Sequence, residues 1–131
     1  MKVFREAEVE WEPVDPAHFT GKGRVKRVSA TDQKPPVKVF RVEFEPECRT
    51  NWHSHSGVQL LYIVGGRCRV QKWGEEVKQA GPGDMVSILP DEKHWHGAGP
   101  GSRMTHIAVN INVTTSWMER VTEKQFSALS A

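Results

Sequence analysis

The sequence is short of several things that would otherwise suggest a function. Cysteine occurs only twice in 131 residues. Cys48 and Cys68 lack CxxC spacing, so neither a zinc knuckle nor a dithiol redox motif is available. Charge of one sign is also scarce: 18 Lys and Arg nearly balance 16 Asp and Glu, for a formal charge of +2. The densest basic cluster, Arg24, Lys26 and Arg27, is far from the basic stripe that nucleic-acid binding requires. The longest apolar run, Leu60-Leu61-Tyr62-Ile63-Val64, is strand-sized and well short of a membrane span. The segment MKVFREAEVEWEP carries acidic residues and lacks the apolar stretch of a secretory signal. These absences predict a cytoplasmic protein that binds neither nucleic acid nor membrane. Its two thiols are expected to be free and packed as small hydrophobes.

What is present reads as one domain spanning residues 1–131. Hydrophobic residues make up 37% and charged residues 26%, a globular profile long enough to bury a core without a metal or disulfides. Short strand-like runs alternate with Gly and Pro turns. Val37 to Phe44 (VKVFRVEF) closes at Pro46, and Gln59 to Val64 at Gly65-Gly66. Runs over 67–73, 76–80, 85–89 and 103–111 end or begin at similar turns. Helical signals are confined to the tail, where Thr122-Glu123-Lys124-Gln125 matches a capping box ahead of Phe126 and Leu129. Residues 114–119 suggest another short turn. The fold class is all-β, a small barrel or double-sheet roll with a short C-terminal helix, and such a barrel can hold one small ligand or ion.

Histidine is the exception to the bland composition. Five of the six fall between His53 and His106. Residues i and i+2 of a strand share a face, so His53 and His55 project together, as do His94 and His96. The same alternation places Gln59, Leu61 and Ile63 on one face, and Met104, His106, Ala108 and Asn110 on another. Imidazole is a common ligand for first-row divalent metals, and a strand HxH pair supplies two adjacent ligands. A lone HxH carries little weight. HxHxxxQ followed by a strand, Gly-Gly, a Gly-Asp turn and a second HxH carries much more.

These stretches resemble the two motifs of the cupin superfamily, G-x5-HxH-x3-E-x6-G and G-x5-P-x-G-x2-H-x3-N. In the first (47–66), His53, His55 and Gly66 match, with Glu47 in place of Gly and Gln59 in place of Glu. In the second (83–98), Gly83 and His94 match, while Leu89, Asp91 and Ala98 replace Pro, Gly and Asn. Spacing is kept throughout. Gln59, KHWHGA (93–98), MTHIAV (104–109) and WMERVTEKQF (117–126) further resemble a group of small bacterial manganese cupins that includes (R)-selective hydroxynitrile lyases.

The resemblance implies a cupin β-barrel, the jelly roll or double-stranded β-helix. It also implies a divalent metal held by His53, His55, Gln59 and His94. Manganese is the ion the resemblance names, with iron, zinc and nickel as alternatives. A neutral ligand set leaves the ion's charge uncompensated and favours anion or alkoxide stabilisation. His106, with His96, is the expected proton-transfer residue, although His96 serves equally well as support for a ligand. Gln59 as a simple hydrogen-bonded core amide is the reading opposed to ligation. Phe40, Val42, Met104 and Asn110 are expected to line the substrate pocket. His18 reads as a loop or edge residue, and Trp11, Trp52, Trp73, Trp95 and Trp117 as packing. The implied reaction is cleavage or formation of a small α-hydroxynitrile. The alternatives are an iron- or manganese-dependent dioxygenase and a non-catalytic metal-containing binding module. A homodimer or homotetramer is expected, with the N-terminal Val3, Phe4, Val9 and Trp11 available to cover a partner's sheet edge.

Overall fold

The computed structural model describes residues 1–128, so Leu129 lies outside the described residues. A short 3-10 turn at Glu6–Glu8 precedes thirteen strands and one helix among these residues. The strands are β1 (Glu12–Pro13), β2 (Phe19–Thr20), β3 (Gly23–Thr31), β4 (Val37–Phe44), β5 (Arg49–Thr50), β6 (His53–His55) and β7 (Val58–Gly65). They continue as β8 (Cys68–Lys72), β9 (Lys78–Ala80), β10 (Met85–Ile88), β11 (His94–Ala98), β12 (Met104–Ile111) and β13 (Thr115–Trp117), ahead of α1 (Glu123–Ser127). Two antiparallel sheets result. One runs β1-β3-β4-β12-β7-β10; in the other, β11 pairs with β5 and β6 on one side and with β8 on the other. This is the expected all-β jelly roll with a short terminal helix.

Alternation determines which side chains enter the barrel. Along β7, Gln59, Leu61 and Ile63 are buried, whereas Tyr62 and Val64 are exposed. Along β12, Met104, His106 and Ala108 are buried. The register sets these against β4, pairing Met104 with Phe44, His106 with Val42 and Ala108 with Phe40. Phe44, Cys48, Ile63, Cys68, Ala98 and Met104 form a floor with no solvent exposure. Each large apolar side chain there contributes roughly 1.5–3 kcal/mol of burial. Both cysteines are free, and burial pushes each thiol up to about 12, which makes them inert packing groups.

The turns explain the motif residues. Gly66 has φ 78°, and a Cβ there would collide with the Arg103 carbonyl, so glycine is required. Glu47 (φ 70°) and Asp91 (φ 66°) retain the left-handed conformation at two positions where the cupin pattern has glycine. The backbone geometry outlasts the residue best suited to it.

Two readings of the sequence require correction. Residues 115–117 form a strand, not a turn, because their backbone pairs with β6. β3 was not anticipated, since GRVKRVSAT carries three basic residues. Lys26 and Arg24 lie over the Trp11 ring at 4.5 and 4.0 Å, which holds the N-terminal segment on its own chain's sheet.

The helix forms as expected. Thr122 accepts from the Gln125 amide, and the Gln125 side chain accepts in return from the Thr122 amide. Phe126 lies between the guanidinium groups of Arg49 and Arg69, at 4.5 and 4.9 Å. It packs with Trp52, Val77, Trp95 and Val121 into a second core outside the barrel. Trp52 and Trp95 thus face away from the histidines beside them.

Candidate functional site

Three strands bring the histidines together. β6 supplies His53 and His55, β11 supplies His94 and His96, and β12 supplies His106. His94 pairs across the sheet with His53, which sets their ring centroids 4.2 Å apart. His55 lies 4.9 Å from His53 and 5.0 Å from His94 by the same measure. The facing sheet contributes Gln59 from β7, whose cross-strand partner on β12 is Asn110. All five histidines and Gln59 are buried.

Burial keeps these imidazoles neutral. His53 and His96 titrate well below the usual histidine value, and His94 below it, chiefly because the protein displaces water from around them. His55 and His106 are lowered to about 4 for the same reason. Two tautomers follow from backbone contacts. Nδ1 of His53 lies 2.8 Å from the Asn51 carbonyl, and Nδ1 of His94 lies 2.8 Å from the Glu92 carbonyl. A carbonyl only accepts, so both Nδ1 atoms carry the proton and both Nε2 atoms present a lone pair.

Unpartnered buried atoms collect at this site. His94 Nε2, His55 Nδ1, Gln59 Oε1 and His106 Nδ1 lack hydrogen-bond partners despite burial. Such groups cost about 1–3 kcal/mol each when left unsatisfied. Neutral imidazoles and an amide oxygen are a donor set suited to a first-row divalent cation. The nitrogens of His53, His94 and His96 also lie within 4.8 Å of one another, so this three-histidine group could hold a metal ion.

A cavity of about 160 Å³ opens beside the cluster. Phe40, Val42, Gln59, His53, His55, His96, His106, Ala108 and Asn110 are among its lining residues, and no carboxylate is. His106 Nε2 lies 3.2 Å from His96 Nδ1, joining the two in one buried pair against the Phe44 ring. Of the four residues expected to line the pocket, Met104 does not. It sits deeper on the same face of β12, in the apolar floor opposite Phe44.

Sequence reasoning missed other walls. Trp117 lines the cavity with its ring 4.7 Å from His53, and stacks at 4.3 Å on His18. Trp117, read from the sequence as a packing residue, thus also walls the cavity, because β13 carries the indole to the mouth by pairing Trp117 with His53. His18 sits in a turn, as expected of a loop residue. Thr50 also lines the cavity, and its hydroxyl accepts from the His96 amide. Phe44 is the one added wall that alternation from Phe40 and Val42 would have supplied.

Comparison with known proteins agrees with this architecture. Residues 40–109 match the family model described as Cupin domain. The chain is 39% identical over 111 residues to a protein named (R)-mandelonitrile lyase from Granulicella tundricola, covering 82% of this chain and 85% of that one. A cupin-like protein of Thermotoga maritima superposes with a TM-score of 0.84 at 35% identity, covering 89% of this chain and 92% of that one. The polyketide cyclase RemF from Streptomyces resistomycificus shares the fold, with a TM-score of 0.75 at 20% identity over 96% of this chain and 90% of its own. With both motifs at cupin spacing, two antiparallel sheets around a histidine-lined cavity and a family match over more than half its length, the chain belongs to the cupin family.

Proposed function

We propose that this cupin is a metal-dependent lyase that cleaves small α-hydroxynitriles to an aldehyde and cyanide, or runs the reverse addition. The observation that carries the reading is the set of unpartnered, neutral donors beside a buried histidine pair, in a cavity without a carboxylate. The relative named (R)-mandelonitrile lyase supplies the reaction class. His53, His55, Gln59 and His94 are the residues that would hold the ion, with manganese first among the candidates and iron next. They are preferred to the close trio that includes His96, because His96 Nδ1 is engaged by His106 whereas Gln59 Oε1 and His94 Nε2 are unpartnered. When bound, a divalent ion supplies Lewis acidity that lowers the pKa of the substrate hydroxyl.

The remaining chemistry belongs to the chain. His106 accepts the hydroxyl proton as the bond from carbon to cyanide breaks. The electron pair leaves with cyanide, which takes the proton back from the imidazolium. His96, hydrogen-bonded to His106, sets the orientation of that ring and gives the proton a second resting place. Phe40 and Val42 form the apolar wall that seats the aldehyde substituent. The lack of a carboxylate in the cavity lining keeps the cavity favourable to anions, which matches a cyanide leaving group.

Purified, manganese-loaded protein mixed with mandelonitrile is expected to release benzaldehyde, followed by its absorbance. His106→Asn is expected to lower kcat by at least about a hundredfold while metal content stays unchanged. A rate no higher than that of the metal-free protein would overturn the substrate assignment.

We also infer that the protein works as a homodimer or homotetramer. Tyr62, Val64 and Met85 stand exposed on the outer face of the first sheet, a surface that a second copy would cover. Light scattering giving a monomer mass would refute the assembly.

A further inference from the structure

We infer that Asn110 is the positioning residue that decides which end of the Gln59 amide faces the metal site. The inference rests on the reading of the histidine cluster as a metal centre and adds a determinant outside the ligand set. Gln59 and Asn110 are directly opposed on β7 and β12. The Gln59 Nε2 donates to Asn110 Oδ1 at 2.8 Å, while Gln59 Oε1 is buried and has no partner.

An amide side chain is two-ended in a way that a carboxylate is not. Its oxygen can meet a cation, whereas its NH₂ group has no lone pair to offer. Rotation by half a turn therefore converts Gln59 from a ligand into an obstacle. In the ligating orientation the NH₂ group of the buried Gln59 side chain points toward Asn110 on β12. That group needs an acceptor, because an unsatisfied buried donor costs about 1–3 kcal/mol. Asn110 Oδ1 is the acceptor placed to satisfy it. A glutamate at 59 would need no such partner, since either oxygen can ligate. The pairing of Gln59 with a carbonyl across the strand is thus specific to a site that uses an amide.

The test is a double-mutant cycle read by manganese affinity, with free manganese(II) measured by electron paramagnetic resonance during titration of metal-free protein. Asn110→Leu is expected to weaken manganese binding by roughly tenfold, the worth of one hydrogen bond. In a Gln59→Glu background the same substitution is expected to change affinity by less than about twofold. Asn110→Asp keeps an acceptor at the same place and is expected to bind at least as tightly as wild type, which also covers failure of the leucine variant to fold. Equal weakening by Asn110→Leu in both backgrounds would mean that Asn110 only supports the fold, and would overturn the inference. So would unchanged affinity on the wild-type background. A wild-type chain that binds no divalent ion would instead overturn the metal reading itself, and the inference with it.

Discussion

At one end of the barrel interior, Cys48, Ile63, Cys68 and Met104 pack in one apolar cluster and have no exposed surface. At the other, His53, His55 and Gln59 line a cavity, His94 is buried against the two histidines, and buried polar atoms of this cluster lack partners. The inner face of β12 runs through both regions, from Met104 through His106 and Ala108 to Asn110. The floor is closed by burial of apolar surface, which is favourable without directional demands. The mouth is built from groups whose desolvation is unfavourable until something binds them. The barrel therefore holds a poorly satisfied site by packing the opposite end well. Activity and stability should respond to different substitutions.

The sharpest way to break this comparison is at the mouth. His94→Ala is expected to remove bound metal and lower turnover by about a thousandfold or more, without lowering the unfolding free energy of the metal-free protein. Elemental analysis, benzaldehyde release and urea unfolding check it together. Loss of metal with His94→Ala but not with Gln59→Ala would restrict the ligands to histidine.

The floor should behave in the opposite sense. Ile63 is fully buried, and Ile63→Ala is expected to cost about 2–5 kcal/mol of stability in urea unfolding. Because Ile63 contributes only methyl and methylene groups, metal stoichiometry of the folded fraction should stay at the wild-type value. Loss of metal at constant fold would show that the two regions are not separable.

The third effect concerns acid. His55 and His106 titrate at about 4 in the folded chain, below the ordinary histidine value of 6.5. The unfolded chain binds their protons first, so their favourable contribution is complete above pH 6.5 and is lost as pH falls towards 4. Each group imposes a slope of about 1.4 kcal/mol per pH unit within that window. Metal-free protein should show this slope in urea midpoints measured between pH 6.5 and 4. A flat profile would mean that the imidazoles are hydrated and the mouth is not dry.

Much of the fold was legible because strands announce themselves locally. VKVFRVEF, the β-branched run before Gly65-Gly66 and the alternation of 104–111 each appear as strands at nearly the expected bounds. β3 escaped because its basic residues mask its alternation, and their solvation or pairing with Glu6, Glu43 and Trp11 is a tertiary event. β13 escaped because a three-residue strand has no period of its own and exists only through its pairing with β6. Of the candidate site, the inward direction of His53, His55, Gln59, His94 and His106 was legible from motif spacing and alternation. The exclusion of Met104 from the cavity was not, because alternation assigns a face and says nothing of depth.

The sequence by itself determined which side chains enter the barrel, since a period of two is a property of each strand alone. It also determined the capping box and the turns that Gly66, Glu47 and Asp91 make. Only the tertiary structure decided that His96 meets His106, that Asn110 takes the Gln59 amide and that Trp117 closes over His53. The partners in those contacts are 10, 51 and 64 positions apart in the chain. Register between strands and the closure of two sheets bring them together, and neither is encoded in any local run of residues.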